Sequence, residues 1–312
     1  MADNRREFSI VIIPDTQILA AKYPSIYPVK AQWIVDNAAD LNVQIILHLG
    51  DVVDDGADDE EQFRIAAQAF EKFDQAGIPF LATPGNHDYD NQLKTDRSLT
   101  MFNRYFGTHR YANRPWFKGT YEEGKIENSY AVLEIEGEPY LFLSLEFGAR
   151  DEVLAWADSL MEAHSSHKVI IITHTYMYQH GERTKPGDNH NPKLYKGAAG
   201  ANDGEDMWQK SFRKHGNLIA VFSGHHDREL VSYRTDFGDC GNPVFQSFQN
   251  WQCTDNGGEG RIRILKMKPS DFPSFSLDVY NPHTGSYETN PGYSVEVPLK
   301  REDAVLNIRH PR

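Results

Sequence analysis

Val43-Gln44-Ile45-Ile46-Leu47-His48-Leu49-Gly50-Asp51-Val52-Val53-Asp54 is the stretch on which the fold turns. Five of its first seven residues are apolar and three are β-branched, as in a strand buried on both faces. Gly50 then permits a sharp turn, and two carboxylates follow within four positions. The neighbouring segments repeat the alternation. Phe8–Ile13 reads as an earlier buried strand and Val29–Leu41 as a helix between the two. Beyond it come a helix over Glu60–Ala76, a strand at Pro79–Thr83 and a helix around Arg97–Phe106. This βαβαβα order predicts a layered α/β domain.

The second half has a different rhythm. Tyr130–Ile135 and Tyr140–Leu145 flank Glu136-Gly137-Glu138-Pro139, a hairpin signal. A helix over Glu152–His164 leads to a strand at Lys168–Thr173. A helix over Gly204–His215 leads to a strand at Asn217–Ser223. Strand-like runs follow at Glu229–Arg234, Pro243–Gln249, Arg261–Lys268 and Ser274–Tyr280. With no repeat or linker in view, residues 1–312 read as one domain with two sheets, the run from 229 to 300 completing the second. Between the His174 strand and the next helix, Thr175–Asp203 is rich in Gly and Pro and lacks periodicity. A loop of that length in a compact domain is a candidate functional element.

The chain has 312 residues, 25% of them charged, and a formal charge of −13. That balance argues against nucleic acid or an anionic membrane as partner. No apolar stretch approaches the roughly 20 residues needed to span a bilayer. The N-terminal residues lead into the Phe8 strand without a leader pattern, so the expected location is the cytoplasm. The only cysteines, Cys240 and Cys253, exclude a disulfide framework; they read as buried free thiols, with a hairpin pairing as the alternative.

Five short motifs follow strands: Pro14-Asp15-Thr16-Gln17, Gly50 to Asp54, Gly85-Asn86-His87-Asp88, Thr173-His174 and Gly224-His225-His226-Asp227. Singly each has an ordinary explanation: Gly-Asp makes turns, and Asn-His-Asp caps helices. Together they deliver Asp, Asn, Gln and His to strand carboxyl ends, where α/β sheets bind ligands. His48, inside a strand, reads as a core histidine. The acids Asp55, Asp58, Asp59, Glu60 and Glu61 read as a helix start favoured by its dipole. His109, His164, His167, His215, His283 and His310 read as surface.

In these five ordered blocks the chain resembles the calcineurin-like metallophosphoesterases. The resemblance implies a four-layer α/β/β/α sandwich, two mixed sheets flanked by helices, that holds two divalent cations and hydrolyses phosphoric esters. It implies Asp51 as the bridging ligand. Asp15, Gln17 and Asp227 would complete the first site, and Asn86, His174 and His225 the second. It also implies metal-bound hydroxide as nucleophile, with His87 assisting the leaving group and Asp54 orienting His87. Gln17 and Asp227 stand where the family usually has His, with His226 as a competing ligand for the latter. An all-oxygen first site favours harder cations such as Mg or Mn, whereas the second suits Mn, Fe or Zn.

The expected partner is a small phosphoester, monoester or diester, held in part by the long loop. Tyr176, Tyr178, His180 and Arg183 are its candidate substrate contacts, in a segment that also holds Lys185, His190, Lys193 and Tyr195. The competing expectation is a binding or scaffold protein that keeps the fold without turnover.

Overall fold

A computed structural model describes residues 5–226, 230–268 and 274–298. The chain opens with strand β1 (Phe8–Ile13), helices α1 (Gln17–Lys22) and α2 (Ile26–Asn37), strand β2 (Val43–His48), helix α3 (Glu60–Ala76) and strand β3 (Phe80–Ala82). β1, β2 and β3 run parallel. Helix α4 (Thr100–Phe106) then leads to β4 (Phe117–Thr120), β5 (Ser129–Ile135), β6 (Glu138–Leu145), α5 (Asp151–Ala163), β7 (Lys168–Thr173), α6 (Gly204–Lys210), β8 (Leu218–Ser223), β9 (Val231–Phe237) and β10 (Pro243–Gln249). These strands form a second mixed sheet in the order β4-β5-β6-β7-β8-β10-β9. The run from 229 to 300 was expected to complete the second sheet, but only β9 and β10 do so; the chain then returns to the first sheet through β11 (Ile262–Lys268), β12 (Ser274–Asn281), β13 (Ser286–Tyr287) and β14 (Val295–Pro298), because β11 pairs antiparallel with β1. That sheet has the order β13-β12-β11-β1-β2-β3, with β14 also on β12.

The two sheets pack face to face, which explains the runs without polar alternation. In β7, Ile170 and Ile172 point into the core shared with the first sheet, while Val169 and Ile171 point to the outer core under α5 and α6. β6 divides likewise, Tyr140 and Phe142 inward and Leu141, Leu143 and Leu145 outward. On the far side of the first sheet, α3 buries Phe63, Ala66, Ala67, Phe70 and Phe73, one stripe at helical spacing. The result is four layers, α/β/β/α.

Local chemistry sets the element ends. Asp59 caps α3 by accepting the Glu61 N–H at 3.1 Å, and Gly77 closes it at φ 70°. The acidic run is therefore a helix start. Glu136 and Gly137 both have positive φ, 50° and 79°, the two-residue hairpin turn matched to sheet twist.

Several boundaries differ from the sequence reading. α2 begins at Ile26, because Pro28 is tolerated in a first helical turn. α4 begins only at Thr100. The helix expected to reach His215 breaks at Ser211 (φ −133°, ψ −74°) and ends in one tight turn, Phe212–Lys214. α1, β4, β13 and β14 have no counterpart in the sequence reading: all are short and lack a full period of pattern. His215 is buried, its Nε2 2.8 Å from Asp158 Oδ1. Cys240 and Cys253 form no disulfide and are both exposed, where burial was expected. His310 lies outside the described residues. Among those described, no helix is long and apolar enough to cross a membrane.

Candidate metal centre

The carboxyl ends of β1, β2 and β3 and those of β7 and β8 meet at one rim. Asp15 follows β1, Asp51 follows β2, Asn86 opens a single turn after β3, and His174 and His225 follow β7 and β8. The approach is so close that glycine is needed at three turns. A Cβ on Gly85 would lie 2.1 Å from Asp51 Oδ1, one on Gly224 2.0 Å from Asp15 Oδ2, and one on Gly50 2.8 Å from His174 Nδ1. Asp51 and His225 themselves sit at φ 50° and 79°, strain of a kind concentrated at functional sites.

One ligand atom from each of Asp51, His174 and His225 lies within 4.8 Å of the others. His174 Nε2 is 3.2 Å from Asp51 Oδ2 and 4.0 Å from Asp15 Oδ1. Its Nδ1 lies 2.7 Å from the Leu49 carbonyl, which fixes the tautomer that leaves Nε2 free to bind. His225 is turned the other way: its Nε2 reaches the His190 carbonyl at 3.0 Å, so Nδ1 faces His174 Nε2 at 3.2 Å. The long loop thus orients a histidine of the cluster through its backbone.

The oxygen side is equally specific. Gln17 Nε2 donates to Asp51 Oδ2 at 2.8 Å, which leaves Gln17 Oε1 without a partner. Asp15 Oδ2 and Asn86 Oδ1 are likewise buried and unpartnered among the described residues. Buried acceptors without donors are costly, and a cation satisfies them. The donor set therefore fits divalent metal. Electrostatics agree. Burial pushes the Asp15 carboxyl up to about 8, with the Asp51 charge adding to it. Burial also acts to raise Asp51, but the His174 and His87 charges outweigh it and hold that carboxyl well below the usual range. Burial opposes a charge on His174, yet Asp51 pulls it up to about 9. Burial, with His226 and His174 adding to it, holds His225 well below its usual value, so within the cluster His174 alone is drawn towards the charged form.

His87 stands beside the cluster, partly exposed, and its backbone N–H donates to Asp51 Oδ1 at 3.0 Å. Its Nδ1 meets the Asp54 backbone carbonyl at 2.7 Å, whereas the Asp54 carboxylate is 3.5 Å away. Asp54 thus meets His87 through both its main chain and its carboxylate, the carbonyl being the nearer contact. Asp88, for which the motif reading had no role, accepts the Val53 N–H at 3.0 Å and the Gly85 N–H at 2.8 Å. It braces the two turns that carry Asp51 and Asn86. His48 is a core residue, bonded to Thr16 Oγ1 at 2.9 Å.

Asp227 lies outside the described residues. His226 is buried outside the three-residue cluster, edge-on to Tyr178 with ring centroids 4.7 Å apart. Two expected substrate contacts are instead loop anchors. Tyr176 is fully buried and donates to Gln246 Oε1 at 2.8 Å. Arg183 pairs with Glu205 at 2.7 Å and with Asp236, and stacks 4.7 Å over Trp208. Their polar atoms are consumed in holding the loop to β9, β10 and α6, because a buried guanidinium must be paired. His180 is exposed on the turn Gln179–Gly181, at φ 56°. Tyr195, one residue among many in the loop at sequence level, packs against Phe147 at 5.1 Å and stands 6.2 Å from His225.

Comparison with known proteins agrees with this geometry. The chain is 28% identical over 306 residues to the uncharacterized protein YvnB of Bacillus subtilis (strain 168), covering 94% of this chain and 22% of that protein; it thus spans about a fifth of the relative's length. Among solved structures, a dimetal phosphatase from Danio rerio superposes with a TM-score of 0.55 at 10% identity, covering 94% of this chain and 99% of that one. GAP50, the anchor in the inner membrane complex of Plasmodium, superposes with a TM-score of 0.52 at 9% identity, covering 96% and 93%. At such identities the likeness is one of fold. The family profile of the calcineurin-like phosphoesterases matches residues 8–228, the span that holds all five motifs, and the chain belongs to that family.

Proposed function

We propose that this protein is a dinuclear metal-dependent hydrolase of small phosphoric esters. The observation that carries the reading is the set of buried, unpartnered oxygens of Asp15, Gln17 and Asn86 ringed around Asp51 and His174. Asp51, with two oxygens in the cluster, is the residue to bridge two cations. Asp15 and Gln17, with Asp227, are assigned to one cation; Asn86, His174 through Nε2 and His225 through Nδ1 are assigned to the other. Divalent cations bound there neutralise phosphate charge and lower the pKa of water towards neutrality.

The chain's own residues account for the remaining chemistry. His87 is outside the donor cluster and open to solvent, so it is placed to give a proton to the departing alkoxide. The Asp54 carbonyl at its Nδ1 directs Nε2 outward for that purpose. The Asp51 charge raises the pKa of His87 against the opposing effect of burial, which keeps it protonated nearer neutral pH.

The all-oxygen donor set of the first site suits Mg or Mn, and the two imidazoles of the second suit Mn, Fe or Zn. The first site is expected to empty first on dialysis; two equally tight zinc sites by titration would contradict this. Turnover is tested with aryl phosphate and bis-aryl phosphate in the presence of Mn²⁺. A well-folded, metal-loaded protein inert to both with every common divalent cation would favour a scaffold role.

A further inference from the structure

Beside the metal centre lies a cleft of about 460 Å³, with Asn86 and His87 on one side and Leu93, Lys94, Tyr195 and Lys196 on the other. Two loops distant in sequence build the second wall, and they are tied at one point: the Gly197 N–H donates to the Leu93 carbonyl at 2.8 Å. The tie needs glycine, since a Cβ at 197 would lie 2.8 Å from Leu93 O and 2.7 Å from Asp96 N. Leu93 itself is held at φ 57° and Gln92 at φ 53°, a left-handed pair of bulky residues. Lys94 and Lys196 are the immediate neighbours of the two tied residues, so the clamp sets both lysines on one rim.

Their state of pairing is the telling observation. The chain carries a charge of −13. Other cations of this region are matched to carboxylates: Arg150 to Glu146 at 2.7 Å, Lys193 to Asp203 at 3.0 Å, Arg97 to Glu146 at 3.7 Å. Lys94 and Lys196 have no carboxylate partner among the described residues. One solvated lysine is ordinary, but two lining the same cleft create a local positive field in an acidic protein. Between them, the exposed Leu194 side chain and the Tyr195 ring offer apolar surface, while Leu93 is buried beneath.

We infer that this cleft receives the leaving alcohol, and that Lys94 and Lys196 select phosphoesters whose alcohol bears a second anionic group. The assignment rests on the phosphoesterase reading, in which His87 marks the leaving-group side. The carbon frame of the alcohol lies on Leu194 and Tyr195, and its anion meets the two ammonium groups.

The test uses two esters with leaving phenols of matched acidity, 4-(2-carboxyethyl)phenyl phosphate and its amide, 4-(2-carbamoylethyl)phenyl phosphate, hydrolysed by the Mn²⁺-loaded protein. The expected result is a kcat/KM about tenfold higher for the carboxylate, the scale of two exposed charge contacts. The preference should reside in KM and shrink at high salt. In Lys94→Gln/Lys196→Gln the ratio should fall to about one, with metal content unchanged. Equal hydrolysis of both esters by the native protein, or a preference that survives the double substitution, would overturn the subsite while leaving the phosphoesterase reading intact. Hydrolysis of neither would overturn both.

Discussion

Asp15 Oδ1 accepts the backbone N–H of His225 at 2.9 Å, joining residues 210 positions apart. The bond spans the two sheets, since Asp15 ends β1 of one and His225 follows β8 of the other. Gly224, just before His225, lets Asp15 approach where any Cβ would collide with its Oδ2 at 2.0 Å.

Gly224→Ala should therefore separate the two halves of the centre without unfolding the sheets. A displacement of about 1 Å at reacting groups costs on the order of 100-fold in rate. Activity should fall by about that much, and bound metal, read by elemental analysis, should drop below the native stoichiometry. Native-like metal content and rate would show that the close approach is incidental.

Asp51 and His87 should respond in opposite ways. Asp51→Asn removes the bridging charge, so metal and activity should vanish together. His87→Ala should keep its metal and lose about 10²–10⁴-fold in rate, with the smallest loss for esters of acidic alcohols, which need little protonation. Equal losses across a leaving-group series would exclude the acid role.

Arg183→Ala tests whether this residue anchors the loop or contacts substrate. The guanidinium is bound by Glu205, Asp236 and Gln246, and its loss would remove three hydrogen bonds that tie the loop to α6, β9 and β10, although Asp236 keeps Arg234 and Gln246 keeps Tyr176. The loop over 175–203 should become sensitive to protease, and stability should fall by about 1–3 kcal/mol, the range for losing hydrogen bonds to charged groups. A change confined to KM, with stability intact, would return Arg183 to the substrate.

Lys30 supplies a pH test remote from turnover. Its ammonium is fully buried, 4.5 Å over the Tyr27 ring and without a hydrogen-bond partner among the described residues, and desolvation lowers its pKa to about 7. The unfolded chain holds this proton up to about 10.5, so between about 7 and 10.5 folding releases it, and stability rises with pH. The penalty reaches its full size below about 7, where both states are protonated. Lys30→Met should thus stabilise the protein by a few kcal/mol at pH 6.5 and by much less at pH 10. Urea midpoints of both proteins at the two pH values measure the difference; an equal gain at both would refute the buried-lysine account.

The strong elements were legible without coordinates. β2, β7 and α3 announce themselves because a strand buried on both faces needs a continuous apolar run, and a packed helix needs one stripe. α1 and β4 were not legible, since six and four residues carry less than one clear period of either pattern. The five motifs were legible because each sets Asp, Asn or His just after a strand, in three of them behind a glycine (Gly50, Gly85 and Gly224). The loop misled: Tyr176 and Arg183 look like exposed grips in sequence, yet the fold buries both to hold the loop in place.

By itself, then, the sequence determined a layered α/β architecture, which follows from local pattern; the four layers and the donor residues came from the resemblance that the ordered motifs carry. Only the tertiary structure decided which nitrogen of His174 and of His225 faces the centre, that a carbonyl orients His87, and that Lys94 and Lys196 share a cleft. Those facts depend on contacts between segments 30 to 210 residues apart, whose distances no local pattern encodes.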